Sequence, residues 1–189
     1  MIIMTIIFVR HGEPDYSYVT KKKFIGHGFD LAHLTSIGKE QAHKAAESSK
    51  LDGIELIVSS PYARALQTAA IISRYRNIDI EVELDLHEWL PDLSYTFSDE
   101  EFVIQAVKLL TSNKGSCPVD SPIQYEELSN VFERAKKCLS KYMDYGKIAV
   151  VAHSALISQF CFGKSVPFCG ITEIEYDDNF KWCGWVESM

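Results

Sequence analysis

With 189 residues, 47% of them hydrophobic and 24% charged, the chain has the size and composition of one globular domain. That size buries a core without disulfides or structural metal, which excludes intrinsic disorder for the bulk of the chain. A formal charge of −7 excludes sequence-independent nucleic-acid binding and attachment to anionic membranes, both of which need clustered Lys and Arg.

The chain opens on an apolar run that Arg10 ends after nine residues. The run lacks a positive leader and is too short to cross a bilayer, so it reads as a buried parallel strand over 3–9. A helix is predicted over 35–49, capped by Thr35, with Ile37, Ala42, Ala45 and Ala46 on its buried face. A short strand over 55–59 follows. Ser60 as N-cap and Pro61 at the first helical position open a helix running to about residue 75. Residues 78–82 alternate as a strand. Ser98 with Glu101 forms a capping box for a helix to about 111. Turn residues fill 113–122. A long amphipathic helix is predicted over 124–144, with Leu128, Val131, Phe132, Ala135, Leu139 and Tyr142 as its stripe. A fully apolar strand over 148–152, a short helix over 154–162 and two final strands over 171–176 and 181–186 complete the chain. Strands alternating with helices imply an α/β fold with a mostly parallel sheet covered on both faces, which binds ligands beyond the carboxyl ends of its strands.

Five cysteines (Cys117, Cys138, Cys161, Cys169 and Cys183) are odd in number and include no CxxC pair. They support neither a disulfide framework nor a zinc ribbon, and suit reduced thiols in a cytoplasmic protein. His27, His33 and His43 lack metal-ligand spacing, so no metal is expected.

Three strand ends carry unusual residues. The first ends in Arg10-His11-Gly12-Glu13 and the second runs into Arg64. The last apolar strand ends in His153-Ser154. A cation in the first turn of a helix opposes the macrodipole, so Arg64 there calls for an anion. If these ends are neighbours, two arginines and two histidines converge, and guanidinium forks match phosphate oxygens. Helix N-termini behind them add backbone N–H donors. A neutral imidazole can then attack phosphorus, while a carboxylic acid protonates the leaving group.

These residues fall into a known pattern. Val9-Arg10-His11-Gly12-Glu13, Leu34-Thr35-x-x-Gly38-x-x-Gln41-Ala42, Ser59-Ser60-Pro61-Tyr62-Ala63-Arg64-Ala65-x-Gln67-Thr68-Ala69 and Val150-Val151-Ala152-His153 occur in that order. Together they resemble the signature blocks of the histidine phosphatase superfamily, the phosphoglycerate mutase-like fold. The resemblance implies a three-layer α/β/α domain spanning 1–189, with a small helical cap at about 90–122. It implies His11 as nucleophile and Arg10, Arg64 and His153 as holders of the phosphoryl oxygens. Glu88 would be the proton donor, with Asp85, Asp92 and Glu101 as rivals. Glu13 would help shape the pocket, or merely serve a turn. No cofactor is implied.

The chain departs from the pattern at four places. His33 stands where the family often has Pro before the Leu-Thr block. Ser154 replaces a glycine after the last histidine. Ser17 stands where mutase-type members carry Asn, and Trp89-Leu90-Pro91-Asp92 replaces their Gly-x-Trp-Glu-Gly segment. Ser17 and Ser154 are accordingly candidate substrate-binding hydroxyls. The departures favour a phosphomonoester hydrolase, acting on a small phosphometabolite or a phosphoprotein, over a phosphoglycerate mutase. A non-catalytic phosphate-binding module is the rival from outside enzymology. Lys21-Lys22-Lys23 reads as a solvated run. Tyr16, Tyr18, Trp89, Tyr95 and Phe97 are candidates for the pocket mouth or for ordinary packing.

Overall fold

The computed structural model describes residues 2–161, 165–182 and 184–185. Along them run β1 (Met4–Arg10), β2 (Pro14–Asp15), α1 (Ser17–Lys21), β3 (His33–Leu34), α2 (Ser36–Ala46), β4 (Leu56–Ser59) and α3 (Ala63–Arg76). Then come β5 (Ile80–Val82), α4 (Glu100–Ser112), α5 (Leu128–Leu139), β6 (Lys147–Ala152), α6 (Ser154–Ser158) and β7 (Ile171–Tyr176). Five strands form one sheet in the order β5-β4-β6-β1-β7; all neighbours are parallel except β7, which runs antiparallel on β1. β2 and β3 pair separately.

Strand periodicity sorts the core into two halves. Met4, Ile6 and Phe8 of β1, with Leu56, Val58, Ile148, Val150 and Ala152, pack under α4, α5 and α6 through Leu110, Phe132, Leu139 and Leu156. Ile7 and Val9, with Ile57, Ala149 and Val151, face α2 and α3 through Ala46, Ala65, Ala69 and Ile72. Every residue of β4 is buried, as a central parallel strand requires. The result is the three-layer α/β/α arrangement expected from the alternation of elements.

Several local expectations are corrected. Thr35 caps α2 by accepting from the Gly38 N–H, as predicted, but the helix ends at Ala46 and Ile37 is exposed. The N-cap of α3 is Tyr62, not Ser60, because the helix begins at Ala63; Ser60 Oγ instead accepts from the Tyr62 N–H ahead of the helix and meets His153. The cap of α4 is Asp99, whose carboxylate accepts from the Phe102 N–H, and Ser98 only donates to Asp99. Residues 124–127 are not helical: the Leu93 N–H donates to Gln124 O and the Glu126 N–H to Leu90 O, so this stretch pairs with the segment after Glu88. The stripe of α5 is buried as expected, and it continues through a 3-10 turn to Tyr142. Residues 181, 182, 184 and 185 form no strand; Cys183, Val186 and Phe162 lie outside the described residues. Among the described residues no helix is long and apolar enough to cross a membrane.

Candidate active site

The three marked strand ends are adjacent, because β4, β6 and β1 are neighbours in the sheet. Register aligns them: Arg10 pairs with Ala152 and Ser59 with Val151. The ladder extends one step beyond the strands, with the His11 N–H on Ala152 O (3.0 Å) and the Ser60 N–H on Val151 O (3.0 Å). Arg10, His11, Ser60 and His153 thus line one edge, and α3 adds Arg64 from its first turn.

His11 is 5% exposed. Its Nδ1 lies 2.7 Å from Gly12 O. A carbonyl only accepts, so the network assigns the proton to Nδ1 and the lone pair to Nε2. Nε2 in turn accepts from Arg64 Nε at 3.3 Å. Burial, with Arg64 next in importance, holds the imidazole neutral by pulling its pKa from 6.5 down to about 3. The Gly12 N–H donates to Thr68 Oγ1 (3.0 Å), which itself donates to Arg64 O (2.8 Å), tying the His11 loop to α3. A methyl group on Gly12 would collide with the Gly38 carbonyl, so the loop and α2 touch backbone to backbone.

His153 is fully buried, its ring centroid 5.1 Å from that of His11. Ser60 Oγ is 2.7 Å from Nε2 and also accepts from the Tyr62 N–H (3.4 Å). Donation of the hydroxyl proton to Nε2 fits this contact and is the arrangement in which Nδ1 carries the ring's own proton. Burial, reinforced by Arg64 and His11, pushes the His153 pKa well below the ordinary histidine value.

Three buried nitrogens have no hydrogen-bond partner among the described residues: Arg10 Nε, Arg64 Nη1 and His153 Nδ1. Arg10 is otherwise held by Nη1 donating to Val166 O (2.7 Å) and by Phe168, whose ring lies 4.2 Å from its guanidinium carbon. Arg64 lies over the Tyr62 ring at 4.9 Å. Its Nη1 is 3.9 Å from Asp30 Oδ1, within Coulombic range but beyond hydrogen-bond reach. Unpaired buried donors cost about 1–3 kcal/mol each, and three around one imidazole form a cradle for an oxyanion.

Glu88 stands at the edge of this cradle. Its Oε1 accepts from the N–H groups of Trp89 (2.9 Å) and Leu156 (3.3 Å), and its Oε2 from that of Ala155 (3.3 Å). The second and third N–H groups of α6, those of Ala155 and Leu156, therefore serve Glu88. Asp92 instead accepts from the N–H groups of Ser94, Thr96 and Phe97, as the hub of a turn. Glu101 is exposed at the start of α4. The Glu13 carboxylate accepts from the Thr35 hydroxyl (2.9 Å), and its N–H donates to Gln41 Oε1 (2.9 Å). Ser17 is exposed at the start of α1, and Ser154 is half-buried beside His153.

The family model of the histidine phosphatase superfamily (branch 1) matches residues 6–180. The chain belongs to this superfamily. Among curated proteins it is similar to a protein named "Probable phosphoglycerate mutase GpmB" of Proteus mirabilis, 33% identical over 86 residues, 46% of this chain and 38% of that one. It is also similar to 2-carboxy-D-arabinitol-1-phosphatase of Triticum aestivum, 28% identical over 159 residues, 80% of this chain and 30% of the relative. The chain thus spans well under half the length of these two relatives. Among solved structures, a mycobacterial glucosyl-3-phosphoglycerate phosphatase shares the fold with TM-score 0.71 at 18% identity, covering 97% of this chain and 98% of that one. Bacillus stearothermophilus YhfR does so with TM-score 0.71 at 20% identity, covering 98% and 96%. In this chain the register brings three of the four signature blocks to adjacent strand ends, while the Leu34–Ala42 block lies on β3 and α2 and meets the His11 loop at Gly38.

Five neighbours of the superfamily site had not been singled out from sequence. Ser60 and Thr68 sit inside the quoted Ser59–Ala69 block, and their spacing from Arg64 was the available signal. Tyr62 lies in the same block: its ring meets His153 edge-on at 5.0 Å. Burial raises its pKa, and Asp30 reinforces the shift. Asp30 comes from a 3-10 turn (Gly26–Leu31), accepts from His27 Nδ1 (2.7 Å), and has a pKa raised by burial. Phe168 comes from the far end of the chain. Neither Asp30 nor Phe168 belongs to a local pattern, so only the fold reveals them. Of the expected mouth aromatics, Trp89 is buried in the core against Tyr125, Tyr95 stacks on His27, and Phe97 stacks on Phe29.

Proposed function

We propose that the chain is a phosphomonoester hydrolase that works through a phosphohistidine intermediate on His11. The observation that carries this reading is the set of three buried nitrogens without a hydrogen-bond partner, on Arg10, Arg64 and His153, beside a neutral imidazole whose Nε2 lone pair meets Arg64 Nε. A phosphoryl group satisfies all three at once. Arg10, Arg64 and His153 bind its equatorial oxygens, and Arg64 Nε exchanges its contact with His11 for one with phosphate. Nε2 attacks phosphorus in line, and the N–P bond forms as the bond to the leaving oxygen breaks.

Glu88 protonates that oxygen. Its Oε2, with a single 3.3 Å contact, is the atom free to carry the proton. In the second step Glu88, now a carboxylate, takes a proton from the attacking water. The N–P bond breaks and inorganic phosphate leaves. Ser154, beside His153, contributes a hydroxyl at the rim. Ser17, exposed at the start of α1, is a hydroxyl available to the part of the substrate beyond the phosphate. Residues 90–122, carrying α4, act as a cap beside the pocket of a single domain. The substrate class is a small phosphometabolite or a phosphoprotein; the phosphatase names among the relatives support hydrolysis rather than group transfer between substrate positions.

The test is His11→Ala assayed on 4-nitrophenyl phosphate, together with base-stable, acid-labile phosphate on the wild-type protein after rapid quench. The expected result is a loss of about 10⁴-fold or more in turnover, with folding retained and no phosphoprotein trapped. Turnover retained in the variant overturns the mechanism.

A further inference from the structure

The loop that carries Glu88 has little regular structure of its own beyond a 3-10 turn, Leu84–Leu86. A carboxyl that must reach a leaving oxygen cannot sit on a loose loop, because a displacement of about 1 Å costs about 10²-fold in rate. One side chain from another layer supplies the restraint. Arg134 projects from α5 and spends all five of its N–H donors. Nε donates to Glu126 Oε1 (2.7 Å) and Nη2 to Glu126 Oε2 (3.0 Å). Nη1 donates to Asp85 O (2.6 Å) and His87 O (2.9 Å), and Nη2 also donates to Glu88 O (3.2 Å). Three carbonyls of one short loop thus converge on one planar guanidinium.

Glu126 closes the other side. Its N–H donates to Leu90 O (2.9 Å), its carbonyl accepts from Trp89 Nε1 (2.6 Å), and its carboxylate accepts from the Leu90 N–H (3.3 Å). Glu88 is therefore bracketed by restraints at 85 and 87 on one side and at 89 and 90 on the other. Its side chain is then directed at the N–H groups of Ala155 and Leu156, immediately after His153. His87 Nδ1 also donates to Glu88 O (2.7 Å), so that carbonyl is held from two sides; burial, then the nearby Arg134 charge, pulls the His87 pKa down.

We infer that Arg134, held by Glu126, is the positioning residue that sets the Glu88 carboxyl at the phosphoryl pocket, an inference that rests on Glu88 being the proton donor. Lysine cannot replace it, since an ammonium offers three donors and no planar fork. Glutamine at 126 keeps the shape of the partner but removes its charge.

The experiment compares Arg134→Lys and Glu126→Gln with Glu88→Gln, all as the full chain with folding checked by circular dichroism. Each is assayed on 4-nitrophenyl phosphate, whose leaving group needs no proton, and on an alkyl phosphomonoester, whose leaving group does. The readout is kcat/KM, which reports phosphoryl transfer to His11 and not the later hydrolysis that Glu88 also serves; the expected pattern is a fall on the alkyl ester of about 10²-fold for Glu88→Gln. Arg134→Lys and Glu126→Gln should lose about tenfold or more in kcat/KM on the same ester, and all three should lose far less in kcat/KM on the aryl ester. The alkaline limb of the alkyl-ester kcat/KM profile, where the donor loses its proton, should disappear in Glu88→Gln and be displaced in the two positioning variants. Equal losses on both substrates, or none, while Glu88→Gln discriminates, overturn the inference and leave Glu88 standing. Failure of Glu88→Gln to discriminate overturns the proton-donor reading and this inference with it. If Arg134→Lys does not fold, Glu126→Gln decides; if neither folds, the pair is purely structural and the inference is overturned.

Discussion

At the scale of single residues, the site keeps two imidazoles neutral by burying them beside arginines. His11 is held down to about 3, chiefly by burial, and His153 well below 6.5 for the same reason. An unfolded histidine titrates near 6.5, so below that pH the unfolded chain takes up protons that the folded chain refuses. Stability therefore rises with pH across the window from about 3 to about 6.5, by up to about 1.4 kcal/mol per pH unit for each histidine. His87, also lowered mainly by burial, acts in the same sense; Asp30, raised by burial, opposes it. Asp15, Glu83 and Asp92, all lowered, lose their share only below the ordinary carboxylate range. The melting temperature is expected to fall steadily from pH 7 to pH 5, and His11→Asn should flatten that fall. An unchanged slope in His11→Asn would contradict the burial of a neutral His11.

At the scale of elements, what was legible in the sequence was what local chemistry decides. β1, β4 and β6 were plain from apolar runs, and the Thr35 cap was plain from its side chain. The clustering of Arg10, His11, Arg64 and His153 followed from three strand ends and a parallel topology. Residues 14–34 were not legible, because tertiary partners hold them: the Leu34 N–H donates to Gln67 Oε1 (2.7 Å) and the Gly26 N–H to Phe97 O (2.8 Å). The start of α5 was misplaced because 124–126 satisfy their backbone against 90–93 although the amphipathic pattern continues. Gly38 shows the same contest between local and tertiary terms. Within a helix, alanine is worth about 1 kcal/mol more than glycine. Yet a methyl at Gly38 would strike the Glu13 carbonyl in the loop that follows His11. Gly38→Ala is therefore expected to destabilise by about 1–3 kcal/mol and to lower kcat by moving that loop. Thermal unfolding and steady-state kinetics check both, and a stabilised, fully active variant would show that the contact is slack.

At the scale of the whole molecule, the charge of −7 and the cationic cradle oppose one another over different distances. Arg64 is buried and Arg10 half-buried, so the two cations act chiefly on a phosphate that has already reached them. The acidic surface acts at longer range. In about 0.01 M salt the Debye length is about 30 Å, and an approaching dianion meets the net repulsion of the protein; at about 0.15 M it shrinks to about 8 Å. Long-range steering thus works against capture here, the reverse of an enzyme whose surface draws its substrate in. Raising ionic strength over this range with a bulky monovalent anion that cannot enter the cradle is expected to increase kcat/KM for a phosphomonoester dianion. The gain should appear in KM, since kcat belongs to the bound complex. A substrate whose phosphate carries one charge less, assayed at the same pH, should gain less. A kcat/KM that falls with salt instead would mean that the cradle's field reaches the solvent, and that the acidic surface lies away from the path the substrate takes.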